Sequence, residues 1–320
     1  VSEPIPGTPP RPGRRGILPV AGAIAVGLLT AAQSRINGAL GVALHDGIVA
    51  AVVSFGSGLA LTALLAALLP AARAAVVRLW NGIRDGGIPW WLLVGGGAGA
   101  LTVGTQGVVV GVIGTALFTV GMVAGQTLGG LVLDRLGYSP AGVAAVTVSR
   151  VIGVALTLTA VGVSFLGGAI GAVPAWMLVL PVLVGLGVAW QQATNGRLQR
   201  RVDSALVATL VNFVGGTLAL AAIALAQLPH ASVAPPPPDP WLYLGGAIGV
   251  TYIFLSAAIA PRIGVLLLSL GSVLGMLVGS VLLDLAWPPA VPPSPVRSAI
   301  TVVVACAGVA IAAFGRRPAR

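Results

Sequence analysis

Residues 47 to 69 read GIVAAVVSFGSGLALTALLAALL, without one charged side chain. Runs of this length recur along the chain, and each suffices to cross a hydrocarbon core of about 30 Å as a helix. Inside lipid no water can satisfy a bare peptide group, so only helices or closed barrels cross. The alternating ten-residue pattern of barrel strands does not occur here. The expectation is an all-α integral membrane protein. Composition agrees: 57% of the 320 residues are hydrophobic, 8% are charged and the mean hydropathy is +1.03, whereas soluble domains carry about a quarter charged residues.

Loop signals divide the apolar sequence into ten transmembrane helices, near 17–44, 47–69, 88–110, 112–131, 148–168, 174–198, 204–227, 241–260, 262–286 and 297–315. Arginine placement tests that count, because short cytoplasmic loops collect positive charge. With the N-terminus inside, Arg11, Arg14, Arg15, Arg73, Arg78, Arg84, Arg135, Arg197, Arg200, Arg201, Arg262, Arg316, Arg317 and Arg320 all fall on the cytoplasmic side, and Arg150 lies at a cytoplasmic mouth. Only Arg35 and Arg297 fall outside. The expected location is the cytoplasmic membrane, multi-pass, with both termini cytoplasmic. The net charge of +10 then belongs to loops facing an anionic leaflet rather than to a nucleic-acid surface. All seventeen basic residues are arginine, a bias expected of GC-rich bacterial coding sequence.

Residues 1 to 16 read as a disordered cytoplasmic tail. The Arg14–Arg15 pair within them is not taken as a cleaved signal, since the apolar segment that follows has a counterpart later in the chain. The proline-rich stretches 230–240 and 287–295 read as stiff outward-facing connections.

The chain also repeats itself. An offset of 158 residues lays QSRINGALGVALHDGIVAAVVSFGSG (33–58) on QQATNGRLQRRVDSALVATLVNFVGG (191–216), so that Gln33 meets Gln191, Asn37 meets Asn195 and Phe55 meets Phe213. An offset of 150 lays GTALFTVGMVAGQTLGGLVLD (114–134) on GVLLLSLGSVLGMLVGSVLLD (264–284). A first unit over 17–168 and a second over 169–320 follow, each of five spans. An odd number of spans turns the second unit upside down, and two inverted five-helix repeats are an architecture of secondary transporters. The glycine ladders Gly121, Gly125, Gly129 and Gly271, Gly275, Gly279 open grooves for close helix approach. Spans 4 and 9 are expected to pack on each other at the seam between the halves.

In their order, QxxxNG in span 1, SFGSG in span 2, AGQTLGGLVLDRLG in span 4 and SRVIGVALTLTAVGV in span 5 resemble the YdcZ-like branch of the drug/metabolite transporter superfamily. The resemblance implies movement of a small organic metabolite or drug-like compound through a cavity between the halves. Small multidrug relatives carry an essential glutamate in the first span; here spans 1 to 3 hold no acidic residue.

Amides in a membrane helix require partners, since each buried unpaired polar group costs on the order of 2 kcal/mol. Gln33 with Asn37, and Gln191 with Asn195, lie one turn apart on one face. They read either as interhelical glue or as the lining of a substrate cavity, as do Ser54 and its counterpart Asn212. Gln106 and Gln126 lack amide counterparts and are candidate ligand contacts; Trp190 and Tyr252 are candidate stacking walls. Asp134 with Arg150, mirrored by Asp284 with Arg297, read as structural ion pairs or as gates. Arg35, costly at a span centre, is expected to reach the outer interface beside Asp46. Cys306 is alone in an apolar run, and His45 and His230 sit near loops, so neither a metal site, a cofactor site nor a catalytic constellation is expected. The partners expected are a small-molecule substrate and the bilayer, with a monomer or a dimer left open. A channel or a non-transporting scaffold or receptor is the alternative.

Overall fold

The computed structural model describes residues 17–164, 175–227, 233–286 and 295–314. The expected N-terminal tail, His230 and the proline-rich stretch before Pro295 lie outside them. The described chain is helical: α1 (Ile17–Leu44), α2 (Gly47–Leu68), α3 (Pro70–Arg84), α4 (Gly96–Arg135), α5 (Val148–Ser164), α6 (Ala175–Val202), α7 (Ala205–Gln227), α8 (Gly245–Ala286) and α9 (Pro295–Phe314). Four segments, 18–44, 47–68, 205–227 and 240–283, are long and apolar enough to cross a membrane on hydropathy alone.

The turn after the first long helix of each unit obeys the 158-residue offset down to single hydrogen bonds. His45 (φ 57°) and Asp203 (φ 50°) take the left-handed conformation that ends α1 and α6. The next N–H reaches back in both cases, from Asp46 to the Gly41 carbonyl and from Ser204 to the Gln199 carbonyl. Asp46 then caps α2 by accepting from the N–H groups of Ile48 and Val49 at 2.8 and 3.0 Å. Ser204 caps α7 by accepting from Val207 at 3.3 Å. Asp46 is therefore first of all a helix cap.

Helices α4 and α8 each cover two of the expected spans, 3 with 4 and 8 with 9, and each doubles back. In α8, Gly245 lies against Asn37 and Gly249 against Gln33, after which Gly271, Gly275 and Gly279 climb α1 again past Ala23, Ile24 and Ala31. The reversal falls at Gly264, whose φ of 81° no side-chain-bearing residue adopts comfortably. In α4, Gly95 and Gly99 lie against Asn195 and Gln191, while Gly121, Gly125 and Gly129 follow Pro181, Val182 and Ala189. Its chain direction also reverses, between Gly99 and Gly121.

Packing exchanges the two units. Helix α1 lies along α8 and α6 along α4, while α2 meets α7 and α5 meets α9. The glycine ladders drive the first two contacts rather than a contact between the ladders themselves. A Cβ on Gly125 would collide with the Val182 carbonyl, and one on Gly275 with the Ile24 carbonyl. Each ladder thus admits the first long helix of the opposite unit rather than the other ladder. The second halves of α4 and α8 do touch, through Val123 against Val273 and through Gly130 against Leu266. Helix α5 crosses α9 where Gly153 faces the Gly308 carbonyl and Gly308 faces that of Gly153. Such close approach matters because lipid tails are as apolar as leucine, so helix association rests on packing and hydrogen bonds.

Helix α3 was expected as an arginine-bearing loop. Pro70 opens it, Ala72 and Ala75 are buried, and Val76, Trp80 and Ile83 remain exposed beside the packed face. In the second unit the corresponding connection holds Pro235–Pro238. That segment stays close to the end of α1, where the Ala234 N–H donates to the Leu44 carbonyl at 3.0 Å.

Candidate functional site

Two amide clusters lie on either side of one aromatic pair. Gln33, 8% exposed, donates through Nε2 to the Gly245 carbonyl at 3.0 Å, which ties α1 to the start of α8. Asn37 Oδ1 and Ser54 Oγ both face the bare Cα of Gly245, and both are buried without a hydrogen-bond partner. Glycine is required at 245, because a methyl group there would overlap Asn37 Oδ1.

The second cluster uses the equivalent residues more fully. Gln191 Nε2 and Asn195 Nδ2 both donate to Asn212 Oδ1, at 2.8 and 2.9 Å, joining α6 to α7. Gly95 approaches Asn195 Oδ1 as Gly245 approaches Asn37. Only Asn212 Nδ2 remains buried without a partner. One residue accounts for the difference: Asn212 extends a carbonyl oxygen that two amides share, and at Ser54 a shorter hydroxyl replaces it.

Between the clusters, Phe55 and Phe213 meet with ring centroids 5.4 Å apart and planes tilted by 52°, an ordinary aromatic geometry. Each ring fills the notch of a glycine on the opposite helix, Phe55 on Gly216 and Phe213 on Gly58. Gly99 separates Phe55 from Gln191, and Gly249 separates Phe213 from Gln33. The rings therefore meet where α2 packs on α7, with one amide set beyond each. In the sequence, Phe55 and Phe213 serve only to align the repeats. Their being the aromatic pair that coincides under the 158-residue offset was the available signal of a shared position.

At one end of α4 the expected ion pair exists, with Arg150 Nη1 3.5 Å from Asp134 Oδ2. The shorter contact is a different one. Asp134, 1% exposed, accepts from the Val265 N–H at 2.9 Å and from the Leu266 N–H at 3.4 Å. It thereby caps the helical segment that begins after Gly264, a carboxylate from one unit holding the start of a helix in the other. Asp284 and Arg297, the expected mirror pair, lie outside the residues whose side chains are described.

The other candidates are dispersed. Gln126 is buried on the second half of α4, where Gly185 of α6 abuts its backbone. Tyr252 packs between the phenylalanine cluster and the cluster of Ala23, Val26 and Ile259, and Trp190 is half-buried on α6. The side chain of Gln106 lies outside the described residues. Arg35 is exposed and lines a largely apolar groove of about 430 Å³ with Ala32, Ile36, Ala39, Trp241 and Leu283. Cys306, alone in its apolar run, is exposed. Sequence reasoning passed over Gln192 and Ser269, which are buried and joined by a 3.2 Å hydrogen bond between α6 and the second half of α8. Among the described residues no group of three or more His, Cys, Asp or Glu is placed to hold a metal ion.

Comparison with known proteins follows the same division of the chain. A family model described as "Putative inner membrane exporter, YdcZ" matches residues 18–164 and 176–312. A solved crystal structure shares the fold, with a TM-score of 0.61 and 20% sequence identity over 92% of this chain and 95% of that one. No curated protein matches the sequence.

Proposed function

The chain belongs to the YdcZ family of inner-membrane exporters within the drug/metabolite transporters, and from that premise we propose that it exports a small organic solute by alternating access. The proposed arrangement is ten membrane-crossing helices in two inverted units, with α4 and α8 each contributing two crossings. Both termini face the cytoplasm. That places the Asn37–Ser54 cluster toward the outer side and the Asn195–Asn212 cluster toward the inner side.

One observation carries the reading: the two clusters are equivalent in sequence and position but unequal in bonding. Asn212 joins Gln191 and Asn195, whereas Asn37 Oδ1 and Ser54 Oγ lack partners. A transporter needs two closures that are alike enough to exchange and different enough to be biased. In this conformation the inner closure is knit and the outer one is loose. Unpartnered acceptors in a low-dielectric interior favour a state in which water or solute reaches them. The substrate site proposed lies between the clusters, with Gln33, Asn37, Ser54, Gln191, Asn195 and Asn212 around the phenylalanine pair. Tyr252 and Trp190 form its walls, and Gln106 and Gln126 are the contacts particular to the first unit. Asp134 with Arg150, and Asp284 with Arg297, close the two ends. Against a permanent channel stands the Phe55–Phe213 contact between α2 and α7, which the proposed path would have to open.

The test is counterflow in liposomes. Protein reconstituted with a trapped solute should exchange it saturably, and a Phe55→Ala/Phe213→Ala variant should leak or lose saturation. Absence of saturable exchange across a panel of small amines, amides and carboxylates would remove the proposal.

A further inference from the structure

At the end of the molecule where α6 terminates, three arginines converge on a cavity of about 320 Å³, bounded by Arg197, Arg200, Arg201, Trp91, Ser139 and Pro140. No acidic side chain is among its lining residues, and none of the three arginines makes an ion pair among the described residues. Asp203, beyond α6, and Asp85, beside the loop at Gly87, are both exposed. Each guanidinium is instead held by the backbone. Arg197 donates to the Gly137 carbonyl at 3.2 Å and stacks on Tyr138, 4.4 Å from the ring centroid. Arg200 donates to the Pro140 carbonyl, and Arg201 to the Gly87 carbonyl at 2.6 Å. A carbonyl orients a guanidinium without neutralising it, and each arginine keeps further N–H donors.

Three oriented cations around a vacancy of this size make a receptor for a phosphate-type anion, which takes paired N–H donors from arginine. The surroundings indicate where that phosphate comes from. Trp90 and Trp91 are 70% and 42% exposed, edge to face at 6.2 Å, and tryptophan concentrates at headgroup depth. Helix α3 adds Val76, Trp80 and Ile83 exposed along one stripe with Arg73 and Arg84 next to it, the pattern of a helix lying in the membrane interface.

We propose that the Arg197–Arg200–Arg201 cavity binds the phosphate of an anionic phospholipid headgroup from the cytoplasmic leaflet. Bound there, the headgroup would join α6 of the second unit to the 137–142 loop of the first and to the 87–92 turn, bracing the inner closure. The assignment does not depend on which solute is carried.

Native mass spectrometry of protein released from nanodiscs tests it, with phosphatidylglycerol against phosphatidylcholine as the lipids. Wild-type protein should retain phosphatidylglycerol preferentially, and Arg200→Gln/Arg201→Gln should lower that retention by about fivefold per arginine removed. An Arg73→Gln variant, which leaves the cavity intact, should lower it less than either cavity substitution does. Thermal unfolding in detergent with added phosphatidylglycerol or inorganic phosphate separates the sources. Stabilisation by the lipid alone supports the proposal. Equal stabilisation by millimolar phosphate would overturn the lipid assignment in favour of a soluble anion. If the double variant folds poorly, the wild-type comparison decides: equal retention of both lipids overturns the site.

Discussion

Ser54 and Asn212 occupy equivalent places, and the difference between hydroxyl and carboxamide decides how firmly each closure is tied. Replacing Ser54 with Asn should copy the second cluster onto the first, giving Gln33 and Asn37 a shared acceptor. The expected gain is about 0.5–1.5 kcal/mol, with slower solute exchange because the outer closure opens less readily. Higher stability with unchanged turnover in liposomes would sever the link between this cluster and gating. Asp134 makes a second contrast at the same scale. Its removal as Asp134→Ala leaves the N–H groups of Val265 and Leu266 bare and should cost about 1–3 kcal/mol. Asp134→Asn keeps an acceptor and should cost less. Arg150→Ala should also cost less than Asp134→Ala, since its contact is the longer one at 3.5 Å. Thermal unfolding in detergent ranks the three.

Among the elements, glycines of the ladders and glycines of the open faces make opposite forecasts. Gly125→Val and Gly275→Val place a branched side chain onto a backbone carbonyl of the crossing helix, and each should destabilise by about 1–3 kcal/mol or prevent folding. Gly56→Ala meets nothing within 4 Å and should be neutral or slightly stabilising through helix propensity. Comparable losses at all three positions, read from melting temperatures, would contradict the ladder assignment. The 150-residue offset extends the argument to Asp284. It is the counterpart of Asp134 in sequence, so Asp284→Ala should destabilise as much as Asp134→Ala does, read from the same melting temperatures. Much of this was legible in sequence. The duplicated QxxxNG marked helices that require polar partners, and the ladders marked faces that require a helix. The partner was not legible. A groove of small residues states how closely something approaches without saying which helix it is, and Ile24 and Val182 carry no mark of the role. Helix α3 escaped because Val76, Trp80 and Ile83 follow helical spacing over too short a stretch to compete with the turn signals at Leu69–Pro70 and Asp85–Gly87.

For the molecule as a whole, the doubling back of α4 and α8 supports the proposed ten crossings, since each of the two would then supply a pair. Accessibility labelling tests the proposed exchange of closures. Cys306 is the sole cysteine and is exposed, so Cys306→Ser supplies a silent background. Single cysteines at Ala39 and at Arg197 should then react with impermeant reagent from the outer and the cytoplasmic side respectively. Ser54→Asn should protect the outer position while leaving the inner one reactive. The partner exchange in packing has a consequence for how such a protein is made. Since the glycine groove that receives α1 lies on α8 and the one that receives α6 lies on α4, neither unit contains the groove that takes most of its own leading helix. Two genes, one ending at Ser164 and the other starting at Ala175, should yield fragments that are degraded when expressed singly and accumulate when expressed together.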